Sequence, residues 1–319
     1  MSWLLRRNML PLHSNSLARR PLASPPPLLP APLPSPRETH LWYVVPDQLK
    51  DASLLNQYMD LLSPCERQSV LRMNGERLQK GALLARALVR TTLARYTDCR
   101  VSPKSFKFRK NRFGKPEVEW NKYDLWAPPP LQFNISHTST MIACGVALDL
   151  PIGVDIEEKQ RKTRNNILSL ARRYFSPVEV AYLRTLADLE SQRHEFIRLW
   201  TLKEAYVKAL GRGFSGAPFK DFTIRLEASN SKQVTGESKS DASRIVVEAV
   251  DHPGILMNRW HFALFELNNS HYAAVCMERD VKDPADRENN SLKLEVWRTL
   301  PFVEDECVTE TAAVKNIIR

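Results

Sequence analysis

The chain of 319 residues has no apolar run approaching the roughly 18 residues that span a bilayer. A transmembrane helix is therefore not expected. It has only five cysteines, Cys65, Cys99, Cys144, Cys276 and Cys307, odd in number, widely spaced and without a CxxC pair. That excludes a zinc ribbon and a disulfide framework and fits thiols in a reducing compartment. No short-period repeat appears, which argues against a solenoid. Acidic residues are missing before Glu38, while Arg6, Arg7, Arg19, Arg20 and Arg37 precede it, so half of the net charge of +10 sits in the first 37 residues. The remaining body is only mildly basic. It suits a polyanionic small molecule or an acidic protein and does not require nucleic acid.

What is present first is a leader. Residues 1–40 are rich in arginine and serine and dense in proline from Pro25 to Pro36, which rules out helix and central strand. This composition is expected of an organellar transit peptide, mitochondrial first, plastid second; a disordered tail on a cytosolic protein is the bland alternative. The fold is expected to start at Leu41, where LWYVV reads as a strand, followed by helix from Leu61 to Tyr96 with Ser63 and Pro64 as cap and first turn. Strands are expected at Phe106–Phe113, Leu131–Ile135, Met141–Ala147 and Ile152–Glu157. Helices follow at Ile167–Tyr174, Ser176–Leu186 and His194–Leu210, the last ended by Gly211 and Gly213. Strands at Phe222–Leu226, Ser243–Val250, Trp260–Glu266 and Tyr272–Cys276 complete the reading, with Ser229–Asp241 as a polar loop. The fold class is α+β, in two lobes of similar build (41–150 and 151–285) that meet near Pro151, and residues 286–319 read as an extension.

Three segments carry chemistry. In PIGVDIEE, strand alternation puts Ile152, Val154 and Ile156 on one face and Gly153, Asp155 and Glu157 on the other. Two carboxylates on one face repel unless a cation or protons lie between them, and hard oxygens favour Mg²⁺; an edge strand with two solvated acids explains the same spacing. In FIRLWTLKEAYVKAL, Trp200, Glu204 and Lys208 share one helical face. Glu204 and Lys208 make either a surface pair or a third metal ligand with a phosphate-binding lysine. In FNISHTST, Asn134, Ser136 and His137 end a strand, and a hydroxyl beside an imidazole makes a phosphate cradle. A Ser–His nucleophilic pair is not expected, because neighbours in a strand point to opposite faces. Arg67, Lys80, Arg86 and Arg90 on the first helical region, with Lys115 in the turn RFGKP, are either solvated charges or together a wall for a polyanion.

In this order the motifs resemble the large, two-lobed Sfp-type class of the 4′-phosphopantetheinyl transferase superfamily. Its GKP hook and FNxSH strand match Gly114–Pro116 and Phe133–His137; its GxDIE matches Gly153–Glu157; its WxxKExxxK matches Trp200–Lys208. The resemblance covers about residues 60–225, with weaker support through 280. It implies pseudo-twofold lobes, each an antiparallel sheet packed by helices. It also implies Mg²⁺ held by Asp155, Glu157 and Glu204, with coenzyme A as substrate. Lys208 would contact the phosphates and Glu204 would act as general base. Ser136 and His137, with Lys115 nearby, would bind the phosphoadenosine end, and Lys80 and Arg86 would approach the 3′-phosphate. Bacterial members carry lysines where this chain has Glu66 and Ser69. The partner implied is an acidic apo acyl or peptidyl carrier protein, met by the basic loop Lys159–Arg164, with the enzyme a monomer that binds neither nucleic acid nor membrane. Two competing readings are a non-catalytic protein that binds coenzyme A or a carrier, and an organellar RNA-binding module; the intact acid and lysine set speaks against the first, and the lack of an RRM-like aromatic signature against the second.

Overall fold

The computed structural model describes residues 28–120, 126–162, 166–213, 218–227, 244–250, 260–279 and 292–318. The first half runs β1 (Glu38–Val44), α1 (Ala52–Leu61), α2 (Pro64–Leu71), α3 (Glu76–Arg95), the hairpin β2 (Lys107–Lys110) and β3 (Pro116–Glu119), then β4 (Leu131–His137) and β5 (Ile142–Leu148). The second half repeats that order: β6 (Ile152–Glu158), α4 (Ile167–Tyr174), α5 (Pro177–Thr185), α6 (Leu189–Leu210), the hairpin β7 (Phe222–Glu227) and β8 (Arg244–Ala249), then β9 (Trp260–Leu267) and β10 (His271–Glu278). Strands β11 (Lys293–Leu300), β12 (Glu304–Cys307) and β13 (Val314–Ile318) follow.

Two sheets form, in the orders β12-β11-β1-β5-β4 and β13-β9-β10-β6. Every main strand is buried on both faces, and period two sorts its side chains. On β1, Leu41 and Tyr43 face the other sheet while Trp42 and Val44 face α1–α3; on β10, Ala273, Val275 and Met277 face the other sheet while Tyr272, Ala274 and Cys276 face α4–α6. The result is four layers, helices outside and two sheets within. The α+β architecture of helix-packed, largely antiparallel sheets in two lobes is as expected from the sequence.

The repeat extends to its fastenings. Ser63 and Glu66 form a capping box at α2, and Ser176 and Glu179 form one at α5. Each glutamate also holds a buried cation of the third helix. Glu66 pairs with Arg90 at 2.7 Å and Glu179 with Lys203 at 2.9 Å. Each cation then binds backbone carbonyls at the entry to its hairpin: Pro103 and Phe106 for Arg90, Phe219 and Phe222 for Lys203.

Several expectations change. The segment Phe106–Phe113 is not one strand: Asn111 Oδ1 accepts from the backbone N–H groups of Phe113 and Lys115, and Gly114 takes φ +92°, so the chain reverses into the β2–β3 hairpin. The helical stretch 61–96 divides into α2 and α3, with α1 (Ala52–Leu61) ahead of it, and α6 begins at Leu189 with Asp188 as its cap rather than at His194. Residues 286–319 are not an appended extension. β11 runs parallel to β1 inside the first sheet and β13 pairs with β9 in the second, so the final residues tie both lobes together. The first sheet is accordingly mixed, not wholly antiparallel. The packed chain also begins before Leu41: the Arg95 side chain donates to Leu29 O, and Ala31 N donates to Arg95 O. Residues 1–27 of the leader and the loop Ser229–Asp241 lie outside the described residues.

Candidate active site

The site forms where β6, the edge of one sheet, passes β4, the edge of the other, beneath α6. Gly153 allows this. A Cβ there would lie 1.9 Å from Ala205 O and 2.3 Å from Ala209 N, so the α6 backbone rests directly on β6. That contact brings Lys208 down onto the next residue of the same strand face, Asp155.

Asp155 Oδ1 accepts from Lys208 Nζ at 2.6 Å and from Ser136 Oγ at 2.9 Å. Lys208 Nζ also reaches Ser136 Oγ and Val154 O, each at 3.1 Å. Asp155 is 4% exposed, yet its Oδ2 has no hydrogen-bond partner. Burial holds the Asp155 carboxyl above its usual range against the pull of Lys208. Glu157 and Glu204 are both pushed up to about 7, first by burial and then by the charge of Asp155. Each of these two carboxyls also feels the other members of the cluster, which brings all three sequence-expected acids into one electrostatic group. Glu157 pairs with Arg161, whose guanidinium lies 5.6 Å from the centre of the Trp200 ring. With all three acids ionised, the cluster carries more negative charge than Lys208 and Arg161 neutralise.

An orphaned buried carboxylate oxygen beside two carboxyls that resist ionising is the donor set a hard divalent cation satisfies. The three acids fit that role, although they stand farther apart than a closed ligand shell. Among the described residues, the group whose ligand atoms all lie within 4.8 Å is a different one, Glu38, His40 and Glu295. There the Tyr96 hydroxyl accepts from Trp42 Nε1 and lies 2.8 Å from His40 Nδ1, while His40 Nε2 faces Glu38 and Glu295 at 3.7 and 3.5 Å. Lys293 sits 2.5 Å from Glu38, so a cation is already supplied. This group lies across the β1–β11 pairing and fastens it; the sequence reading did not find it, because Glu295 comes from the segment read as an extension.

The other expected residues fall as follows. Ser136 is buried in the cluster, and His137 is exposed at the last position of β4. Lys115 Nζ donates to Ile152 O at 2.9 Å, and burial lowers its amine to about 8. Lys80 hydrogen-bonds to Leu49 O and Arg86 to Ala82 O and Ser69 Oγ, all within the first lobe. Arg90 does not join a polyanion wall, because it is 2% exposed and committed to Glu66 and three carbonyls. Arg67 binds Leu62 O and Asp60. Lys203, inside the WxxKExxxK block, is wholly buried with its ammonium 4.1 Å from the Phe222 ring centre. It anchors the 219–222 turn, a role visible in sequence only through the repeat of the Ser-Pro-x-Glu box. Beyond Lys115 a cleft of about 450 Å³ opens between the β2–β3 hairpin and the end of α6, lined by Trp120, Phe133, Leu210 and Gly211 among others.

Comparison with known proteins decides the family. Residues 151–276 match the model described as the 4′-phosphopantetheinyl transferase superfamily, and residues 50–147 match that of the 4′-phosphopantetheinyl transferase N-terminal region. The 4′-phosphopantetheinyl transferase HetI of Nostoc is 33% identical over 56% of this chain and 70% of its own length. The chain belongs to the 4′-phosphopantetheinyl transferase superfamily. It is thus a member of a family of transferases. The 4′-phosphopantetheinyl transferase Sfp of Bacillus subtilis is 32% identical over 53% of this chain and 69% of its own. The L-aminoadipate-semialdehyde dehydrogenase-phosphopantetheinyl transferase of Rattus norvegicus is 24% identical over 68% of this chain and 67% of its own. Among solved structures, the holo-[acyl-carrier-protein] synthase of Thermotoga maritima overlaps at 23% identity and a TM-score of 0.28, over 41% of this chain and 64% of that one, too slight a likeness to inform the site. The two family matches together contain every site residue named from the sequence.

Proposed function

We propose that this protein is a Mg²⁺-dependent holo-carrier-protein synthase of the two-lobed Sfp type. It transfers 4′-phosphopantetheine from coenzyme A to a serine of an acidic apo acyl or peptidyl carrier protein and releases adenosine 3′,5′-bisphosphate. The observation that carries the reading is the buried cluster of Asp155, Ser136 and Lys208, with the orphaned Asp155 Oδ2 and Glu204 beside it.

In the transfer, the serine oxygen bonds to the β-phosphorus as the bond from that phosphorus to the bridging pyrophosphate oxygen breaks. Glu204, on the face of α6 turned to Asp155, takes the serine proton, directly or through water. Lys208 is oriented by three acceptors and places its ammonium where charge collects on the leaving phosphate. Ser136 holds Asp155, and the exposed His137 at the end of the same strand faces the phosphoadenosine end. When bound by Asp155, Glu157 and Glu204, Mg²⁺ supplies neutralisation of the pyrophosphate oxygens. Lys80 and Arg86 serve the 3′-phosphate. In the basic loop Lys159–Arg164, the exposed Arg161 and Lys162 suit an acidic carrier. Both lobes of the site come from one chain, which is consistent with a monomer, and the arginine-rich leader with import into a mitochondrion.

The test is the intact mass of an apo acyl carrier protein incubated with this protein, Mg²⁺ and coenzyme A. A gain of one phosphopantetheinyl group supports the reading. No gain with any acyl, peptidyl or aminoadipate-type carrier domain refutes it.

A further inference from the structure

Among the described residues, the outer edge of β6 has no strand beside it in its own sheet. β10 pairs with the opposite edge, where Gly153, Asp155 and Glu157 face Cys276, Ala274 and Tyr272. An exposed edge inside a lobe junction leaves backbone donors and acceptors that must be satisfied. Here four side chains do this. Lys115 donates to Ile152 O at 2.9 Å, Asn134 Oδ1 accepts from Val154 N at 2.8 Å, Lys208 donates to Val154 O at 3.1 Å, and Ser136 Oγ accepts from Ile156 N at 3.3 Å. The hairpin turn, β4 and α6 thus each contribute. The strand carrying Asp155 is registered against the other lobe by side chains, not by a backbone ladder.

Of the four, Asn134 makes the shortest of these contacts, is 5% exposed, and grips the amide of the residue immediately before Asp155. Two residues along β4, Ser136 holds the Asp155 carboxylate itself. Because β4 side chains alternate, Asn134 and Ser136 share one face and grip β6 at two successive outward amides. We infer that Asn134 is a positioning residue for the transfer reaction: its side-chain carbonyl sets the register of β6 so that the Asp155 carboxylate meets Ser136, Lys208 and the divalent cation. This rests on the function proposed above. Asn134 acts through the strand, since its side-chain oxygen is taken up by the Val154 amide. The Lys115 ammonium, donating to Ile152 O, closes the other end of the seam.

Removing the acceptor leaves the Val154 N–H buried and unpaired, a loss the strand relieves by shifting. A shift approaching 1 Å at Asp155 lowers transfer about 100-fold. The test compares wild type with Asn134→Leu, which is similar in size and lacks the acceptor, and Asn134→Asp, which keeps an acceptor at the same place. Two readouts are taken on protein shown to be folded by circular dichroism: single-turnover transfer, and Mn²⁺ affinity measured by electron paramagnetic resonance without turnover. The expected result is that Asn134→Leu lowers transfer at least tenfold and weakens Mn²⁺ binding at least fivefold, while Asn134→Asp recovers most of both. Asn134→Ala asks the same question if leucine is not accommodated. Unchanged transfer and Mn²⁺ affinity in the folded Leu or Ala variant overturns the inference. So does a loss of transfer, shared equally by Asp, with Mn²⁺ affinity intact. Wild-type protein that transfers nothing refutes the proposed function instead, which keeps the two failures distinct.

Discussion

Replacing Gly153 by alanine adds a single methyl group at the place where the site is assembled. The new Cβ would lie 1.9 Å from Ala205 O and 2.3 Å from Ala209 N, both backbone atoms of one helix, so no side-chain rotation relieves it. Restoring an ordinary contact near 3.4 Å requires α6 to retreat from β6 by about 1.5 Å. Overpacking of this kind costs about 1–3 kcal/mol, a fall of a few degrees in melting temperature for a protein of this size. The larger effect falls on chemistry. Glu204 and Lys208 ride on the displaced helix while Asp155 and Glu157 stay on the strand, and a misplacement of about 1 Å is worth about 100-fold in rate. Transfer by Gly153→Ala, measured well below its melting temperature, is expected to drop at least 100-fold. Gly145→Ala is the control: its Cβ would meet the side-chain tips of Val154 at 2.4 Å and Ile152 at 3.1 Å, on the sheet face away from α6. It is expected to lose stability while keeping transfer within severalfold. A Gly153→Ala protein as active as wild type, or equal losses in both variants, refutes the claim that this helix–strand contact sets the site.

Lys203→Met breaks a wholly buried ion pair and leaves Glu179 charged without its partner, so stability is expected to fall by about 3–5 kcal/mol in denaturant unfolding; the double variant with Glu179→Gln is expected to be milder. Lys208→Ala is expected to abolish detectable transfer while leaving the far-ultraviolet spectrum unchanged, since its partners are the site residues Asp155 and Ser136 and one carbonyl. The pH dependence follows from the two raised carboxyls. Glu157 and Glu204 move from 4.5 to about 7 on folding. The folded state therefore holds more protons than the unfolded state between those values, and stability falls as pH rises through that window. A divalent cation competes with those protons, so Mg²⁺ is expected to raise the melting temperature more at pH 8 than at pH 5.5; an equal or smaller rise at pH 8 contradicts the assignment.

The site was legible where its signals are local. Alternation along β6 placed Asp155 and Glu157 on one face, and helical spacing placed Glu204 and Lys208 on another; only their meeting required the fold. What sequence did not reveal depends on contacts between distant segments. Arg90 and Lys203 look like surface charges in a helical run, and only partners 24 residues away in Glu66 and 24 in Glu179 bury them. β11 reads as a tail because its pairing partner, β1, lies at the other end of the chain. The β2–β3 reversal was legible in part: RFGKP reads as a turn, but the alternating apolar and basic residues before it carry the strand reading on past Lys110 to Phe113, and β3 was not expected. Asn134 was seen as part of a ligand-contacting strand end, but its partner is a backbone amide of the other lobe, which no local pattern encodes.

In the proposed function one divalent cation sits among Asp155, Glu157 and Glu204. Anomalous diffraction from crystals grown with Mn²⁺ and coenzyme A locates it directly. A single strong peak is expected, bounded by Asp155 Oδ2, Glu157 and Glu204, with Lys208 drawn toward the pyrophosphate. A peak at Glu38, His40 and Glu295 with none at Asp155 would contradict it.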